Sequence, residues 1–387
     1  MSVWENPERA ALRETVRRFV VQDVLPNLDE WERAGELPRE LHKKAAALGL
    51  LGAGFPESVG GSGGDLVDAI TICEEMHYAG ASGGLFASLF TSGIALPHLI
   101  AAQNESHIDR WVRPTLAGEK IGSLAITEPG GGSDVGHLRT AAVRDGDHYV
   151  VNGAKTFITS GCRADFVVTA VRTGGGDPAR RGAAGVSLLV VEKGTPGFEV
   201  SRKLEKMGWL ASDTAELSFV DARVPIENLV GAENTGFQQV AQAFVTERVA
   251  LAAQAYASAQ RCLDLTLQWC RDRETFGRPL ISRQAVQNTV TEMARRIDVA
   301  RVYTRALVER SLDSQQDLIA EVCFAKNTAV EAGEWTAHQA LQLFGGAGYM
   351  RESEVERQYR DMRILGIGGG TTEILTGLAA KRLGYQA

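Results

Sequence analysis

Asp145-Gly146-Asp147-His148-Tyr149-Val150-Val151-Asn152-Gly153 is the stretch at which the chain changes period. Asp-Gly and Asn-Gly supply the positive φ that tight two-residue turns require, and both stand here between apolar runs, so each predicts a hairpin. Ile121 to Thr127, Phe166 to Val171, Val186 to Val191, Phe198 to Ser201 and Ala215 to Val220 are further strand candidates, with a polar, Gly-rich loop from Gly174 to Gly185. The interval reads as an all-β unit of roughly 110 residues, within the usual domain range.

On both sides the period is helical. Before it, Asn6-Pro7 offers a cap and a first-turn proline, and Leu12, Val16, Phe19 and Val20 recur at helical spacing. Pro38 opens another helix and Gly49 closes it; a Gly-rich loop from Phe55 to Asp65 leads into helical stretches from about Leu66 to Leu116. After it, a long helical pattern starts at Gly236. Val286, Val290, Met293, Ile297 and Ala300 then step along one face, and a last long helix is expected from about Asp317 to Phe344, ending at Gly345-Gly346. The order is helices, then sheet, then helices. It predicts an α+β multidomain chain: an N-terminal α-helical domain (1–120), a central β-sandwich or barrel-like domain (121–232) and a C-terminal four-helix bundle (233–387).

Composition bounds the function. The 387 residues suit two or three packed units rather than one core. Hydrophobic residues make up 44% and the net charge is −7, with no basic stripe, which argues against a nucleic-acid partner held through phosphates. No apolar run is read as reaching the ~18 residues of a membrane span. The acidic N-terminal segment fits neither a transit nor a signal peptide. Five cysteines form no CxxC pair, and a reducing cytoplasm is the expected compartment. The histidines show no metal-ligand spacing, so no metal site is expected, and neither a nucleophile elbow nor a dinucleotide fingerprint is present.

Four motifs remain: Ala125-Ile126-Thr127-Glu128-Pro129-Gly130-Gly131-Gly132-Ser133-Asp134; Ala243-Phe244-Val245-Thr246-Glu247-Arg248; Arg271-Asp272-Arg273-Glu274-Thr275-Phe276-Gly277; and Gly368-Gly369-Gly370-Thr371-Thr372-Glu373-Ile374. Taken singly each has a bland explanation: a surface turn, a solvated helix carboxylate, a charged helix end, a flexible loop. Together they resemble the acyl-CoA dehydrogenase family of flavoproteins over nearly the whole chain.

The resemblance implies FAD as cofactor and an acyl-CoA thioester as substrate, dehydrogenated between Cα and Cβ to the trans-2-enoyl-CoA. Thr127, Ser133, Phe157 and Thr159 would lie at the flavin, Ser133 also at the CoA chain. Arg273, Phe276, Gln284, Gln342, Gly345 and Gly346 would hold FAD across a subunit boundary. Thr371 and Glu373 would contact the ribose and adenine. Many relatives carry the catalytic glutamate where this chain has Gly369, which has no side chain to act as base. Glu247-Arg248 matches the isovaleryl-CoA and long-chain branches, in which the base sits on the adjacent helix. Glu247 is therefore the expected base that takes the α-proton, flavin N5 receiving the β-hydride; a structural or substrate-polarity role is the alternative. Gly369 would still donate its backbone N–H to the thioester oxygen, with Gly368 along the substrate path and Arg248 either on the CoA path or orienting Glu247. The family also implies a homotetramer and electron-transferring flavoprotein as acceptor, in fatty or branched-chain acyl metabolism. A carrier-protein thioester, a flavin monooxygenase and a non-catalytic partner subunit are the competing readings.

Overall fold

The computed structural model describes residues 3–174, 182–312 and 317–385, so most of the loop expected at Gly174 to Gly185 lies outside the described residues. The N-terminal part contains α1 (Pro7–Phe19), α2 (Leu28–Ala34), α3 (Arg39–Ala47), α4 (Leu66–Tyr78), α5 (Gly83–Leu89), α6 (Ser92–Ala101), α7 (Glu105–His107) and α8 (Arg113–Leu116). Asn6 caps α1 by accepting from the Arg9 N–H at 2.8 Å, with Pro7 in the first turn. Val16, Phe19 and Val20 are buried, so the helical spacing read in the sequence is the core face. Asp65 and Asp68 form a capping box at α4, and Arg9 bonds both carboxylates, tying α1 to α4.

The stretch Gly83–Ala101 corrects the sequence reading that no apolar run approaches membrane length. It is 19 residues long with mean hydropathy 1.5. It is two helices rather than one, α5 ending at Leu89 and α6 starting at Ser92, and Leu85, Leu89, Ala95, Leu96 and Leu99 are buried against protein.

The central sheet holds β1 (Gly122–Ala125), β2 (Ala141–Asp145), β3 (His148–Thr159), β4 (Phe166–Arg172), β5 (Val186–Glu192), β6 (Phe198–Lys203) and β7 (Thr214–Pro225). β5 pairs β4 antiparallel. On the other side β4 meets β1 in parallel at one end and β2 at the other, through Ala141 and Arg172. The sheet then continues β2-β3-β7-β6. This shared edge lets it curl toward the barrel-like form expected. β4 and β5 are buried on both faces: Phe166, Val168, Leu188 and Val190 pack on α6 and Trp111, whereas Val167, Val171, Leu189 and Val191 pack on Tyr149, Leu217 and Phe219. Such two-sided burial gives a continuous apolar run rather than an alternating one.

Of the two expected hairpins, one forms. Asp145 pairs with His148, and Gly146 supplies the positive φ (62°) of the two-residue turn. No turn forms at Asn152-Gly153: β3 runs through it, and the register against β7 shifts between Val151 and Gly153. Gly153 serves close packing, since a Cβ there would lie 2.6–2.8 Å from Thr140. The Asn152 side chain is tied to Asp221, whose N–H it accepts at 2.9 Å, and not to a turn of its own. The pair marks a β-bulge.

The C-terminal part holds α9 (Gly236–Asp272), α10 (Gln284–Ser311), α11 (Ile319–Phe344), α12 (Glu354–Met362) and α13 (Thr372–Arg382), with a two-residue-strand hairpin, β8 (Glu274–Thr275) and β9 (Arg278–Pro279), between α9 and α10. Val286, Val290, Met293, Ile297 and Ala300 are all buried in one cluster with Tyr256 and Cys262. Glu74 of α4 is buried and accepts from Tyr256 Oη at 2.6 Å and from Arg305 at 2.7 and 2.6 Å, which fixes the N-terminal helices on the bundle.

A second buried carboxyl pair is less well matched. Asp361 of α12 accepts from the N–H groups of Trp209 (2.6 Å) and Gly83 (3.0 Å), whereas Glu32 of α2 encloses one oxygen that has no hydrogen-bond partner among the described residues. Burial and then the Asp361 charge push Glu32 up to about 7. A carboxyl raised in the folded state contributes stability that is present below its ordinary pKa and is lost as pH rises through the folded value. Stability should therefore fall between about pH 5 and pH 7. Glu32→Gln, neutral throughout, should raise the melting temperature at pH 8 and leave it nearly unchanged at pH 5, read by thermal melts at the two pH values.

Candidate functional site

α9 begins where the chain must touch the sheet. A Cβ on Gly236 would meet Ser187 of β5 at 2.8–2.9 Å, so glycine lets the first turn pack on the strand. About three turns on, Glu247 faces the Gly368–Gly370 loop that precedes α13. Gly369 and Gly370 have φ of 65° and 97°, a region that side chains disfavour. A Cβ placed on Gly369 would lie 3.6 Å from Glu247 Oε1 and 3.9 Å from Lys326 Nζ.

Two cations hold this loop by its carbonyls. Arg248 Nε donates to Gly369 O at 3.1 Å, and its guanidinium lies 5.5 Å from the Phe244 ring centroid. Lys326 of α11, 1% exposed, donates to Gly368 O at 2.5 Å and Gly370 O at 2.6 Å. The Gly369 N–H has no acceptor among the described residues. Thr371 caps α13 by accepting from the Ile374 N–H at 3.3 Å; Glu373 stands exposed in the first turn. Glu247 is half-buried, and burial raises its pKa against the opposing charges of Arg248 and Lys326. Burial pushes Lys326 down to about 8, against the pull of Glu247.

A second group of expected residues lies on the sheet edge. Thr127 follows β1, and its carbonyl accepts from the Thr156 N–H at 2.9 Å. A bulge between Lys155 and Ile158 turns Phe157 outward with φ 61° and 68% exposure. A bulky residue held left-handed and exposed is strained without the reward of burial. Thr159 is half-buried, its carbonyl accepting from Ser123 Oγ at 2.6 Å, and Ser133 is exposed. Beneath the Thr127–Asp134 loop, Glu128 accepts from Lys155 Nζ (2.8 Å) and from the N–H groups of Arg139 (2.6 Å) and Thr140 (2.8 Å). Burial opposes ionisation, but these donors, Lys155 foremost, hold Glu128 down at about 2. α6 joins the two groups: it packs on β1 and on the first turns of α9, and Thr91 just before it shares a 2.7 Å hydrogen bond with Ser160.

The third group is elsewhere. Trp269 stacks on Phe344 (centroids 4.8 Å apart, 11° between planes), and Arg273, which leads into the β8-β9 hairpin, lies over the Trp269 ring, so the end of α9 meets the end of α11 where Gln342, Gly345 and Gly346 stand. At the hairpin tip Phe276 has φ 51° and is 97% exposed. Arg273 lies roughly 39 Å along α9 from Glu247, at 1.5 Å per residue. Within one chain this group is therefore separate from Glu247.

Sequence reasoning missed Lys326, Glu128 and Lys155 as site-building residues. The signal for Lys326 was a lone lysine among Cys323, Ala325 and Ala329, all buried on α11.

A carboxylate set against a left-handed glycine loop, whose central N–H has no acceptor among the described residues, is an arrangement able to take a proton from carbon next to a carbonyl polarised by that N–H. Comparison with known proteins gives the family. The chain matches the acyl-CoA dehydrogenase N-terminal domain over residues 6–119, the middle domain over 123–222 and the C-terminal domain over 234–384. It is 74% identical to a crystallised Mycobacterium smegmatis chain assigned to the acyl-CoA dehydrogenases, with TM-score 0.98 and all of both chains covered. A similarly assigned structure from Mycobacterium abscessus is 61% identical, with TM-score 0.96 over 98% of this chain and 100% of that one. Rat mitochondrial long-chain specific acyl-CoA dehydrogenase is 38% identical over 98% of this chain and 87% of its own length. The chain belongs to the acyl-CoA dehydrogenase family, whose members are FAD-dependent oxidoreductases of acyl-CoA thioesters.

Removing one partner of the Glu128–Lys155 pair leaves a buried charge uncompensated. Lys155→Met should cost about 3–5 kcal/mol of stability, measured by chemical denaturation, with loss of bound flavin as the loop beneath it loosens.

Proposed function

We propose that Glu247 is the base of an FAD-dependent acyl-CoA dehydrogenase reaction. The observation that carries this is the 3.6 Å between Glu247 Oε1 and the Cβ position of Gly369, so that the carboxylate reaches from the helix the place beside the loop that a side chain there would enter. The Gly369 N–H, its carbonyl side held, donates to the thioester oxygen as enolate charge develops. Glu247 takes the proton from Cα, and the partial burial that raises its pKa matches base to task.

FAD, when bound, supplies the hydride acceptor for Cβ. Thr127, Ser133, Phe157, Thr159, Thr371 and Glu373 would hold it from one chain, and Arg273, Phe276, Gln284, Gln342, Gly345 and Gly346 from another. The exposure of Phe157 and Phe276 suits stacking surfaces for such a group. Arg248 is buried and bonded to Gly369, so it braces the loop rather than lining the CoA path. Ser133 and Gly368 remain the substrate-side contacts.

The distance along α9 supports a homo-oligomer, and the family pattern favours a dimer of dimers. Electrons would pass to electron-transferring flavoprotein, as is typical of the family. The cytoplasm suits its five free cysteines. The three glycines at 368–370 read in the sequence as room for a branched or extended acyl chain, but Leu251 and Leu375 already close the space beside Gly369 and Gly370.

Anaerobic titration with straight and branched acyl-CoAs should bleach the flavin with one class, and Glu247→Gln should abolish the bleaching with flavin content unchanged. Persistent bleaching in that variant would remove Glu247 as base. The active fraction of Glu247 rises with pH through its raised pKa, so kcat/KM should climb on the acid side above the ordinary glutamate range of about 4.3. Coexpressing Glu247→Gln with Arg273→Glu should restore turnover that neither homomer has, since mixed assemblies contain sites with native Glu247 from one subunit and native Arg273 from another. Absence of rescue, with mixed assembly verified by mass, would count against shared sites.

A further inference from the structure

Lys326 has no part in the chemistry proposed above, yet few groups in the molecule are placed at greater cost. It is an ammonium 1% exposed, on a helix where Val322, Cys323, Ala329 and Val330 on the same face are also buried, and burying a charge is unfavourable unless it is paired and hydrogen-bonded. Its Nζ meets two carbonyls, Gly368 O at 2.5 Å and Gly370 O at 2.6 Å, one on each side of Gly369. Arg248 takes the carbonyl between them at 3.1 Å. Three successive carbonyls are thus occupied by two cations from two different helices, while the Gly369 N–H has no acceptor among the described residues. The loop itself has little other reason to hold one shape, because glycines with positive φ have no side chains to pack.

We propose that Lys326 is a positioning residue of the acyl-CoA site: it fixes the Gly368–Gly370 loop so that the Gly369 N–H is presented to the thioester oxygen, and its charge keeps Glu247 ready to accept a proton. This rests on the assignment of Glu247 as base. Both functions come from one atom, because Nζ and Glu247 Oε1 each lie within 4 Å of the Cβ position of Gly369. The charged and titratable groups that face Lys326 are Glu247 and Arg248 from α9 and Cys323 from its own helix. Burial raises Glu247 and the two cations lower it, so removing one cation moves it further up.

Three variants separate positioning from simple structural support, each assayed as the flavin-loaded enzyme for kcat, KM and pH profile. Lys326→Met removes bonds and charge. It should lower kcat about 100-fold, the loss that follows when a reacting group is misplaced by an ångström, with KM little changed and the acid limb of kcat/KM moved to higher pH. Lys326→Gln keeps a donor without charge, and should recover part of kcat while the limb stays high. Lys326→Arg keeps the charge, and should return the limb toward its original position. If Lys326→Met fails to fold, the Gln and Arg variants still divide bond from charge. An acid limb that does not move in any loaded variant, or a fall in kcat that only follows flavin loss, overturns the proposal. Glu247→Gln run alongside distinguishes the two levels: full turnover there would remove the base assignment itself, whereas inactive Glu247→Gln with unaltered Lys326 variants would remove only the role of Lys326.

Discussion

The length of α9 is the constraint on which the rest depends. It is a single helix of 37 residues with Glu247 in its first third and Arg273 just past its end. A straight helix rises 1.5 Å per residue, so these residues are held apart by more than a small cofactor spans. The helix keeps that length through packing on both sides: α4 through Glu74 and Tyr256, and α10 and α11 through the cluster around Met293 and Cys262. Its rigidity keeps the Arg273 hairpin and Glu247 toward opposite ends of one element, and the shared site proposed above follows from that separation. Gly236 matters for the same reason, since it sets the helix directly on β5 and so fixes the distance from the sheet to Glu247.

Buried charge is used repeatedly, and at Glu74 and Glu128 with enough partners to offset desolvation. Glu74 has Tyr256, Arg305 and Arg13; Glu128 has Lys155 and two backbone N–H groups. In both cases the carboxylate is held, and a firmly held carboxylate is a poor base. Glu247 differs. Its neighbours Arg248 and Lys326 spend their hydrogen bonds on loop carbonyls, so they act on it through charge at short range and leave its oxygens open. That is the arrangement a proton acceptor requires.

Much of the architecture was legible because periodicity is a local property. The α10 face from Val286 to Ala300, the Asn6 cap and the Asp145-Gly146 turn all follow from neighbours within one or two turns of chain. Asn152-Gly153 shows the limit. The dipeptide reads as a turn, but Thr140 approaching from β2 and Asp221 from β7 decide its conformation, and both are distant in sequence. The uncharged run at Gly83–Ala101 was misjudged for a related reason: composition does not reveal that two short helices are buried side by side with protein. Within the site, Glu247 and Gly369 were legible as motif residues. Lys326 was not, because its function lies in carbonyls 42 and 44 positions away.

Glycine at 369 and glutamate at 247 are best understood as one choice. A side chain on 369 would enter space whose far wall is Glu247 Oε1, 3.6 Å from where its Cβ would stand, with Leu251 Cδ1 closer still at 2.5 Å. A carboxylate at each position would bring two like charges together, and one would remain protonated. The space admits a single carboxylate, and here it stands on the helix. The loop then carries no side chain and is free to take the left-handed backbone that only glycine adopts easily. What the loop keeps is its N–H. The cost is a segment without side-chain packing of its own, which is why its carbonyls need Arg248 and Lys326.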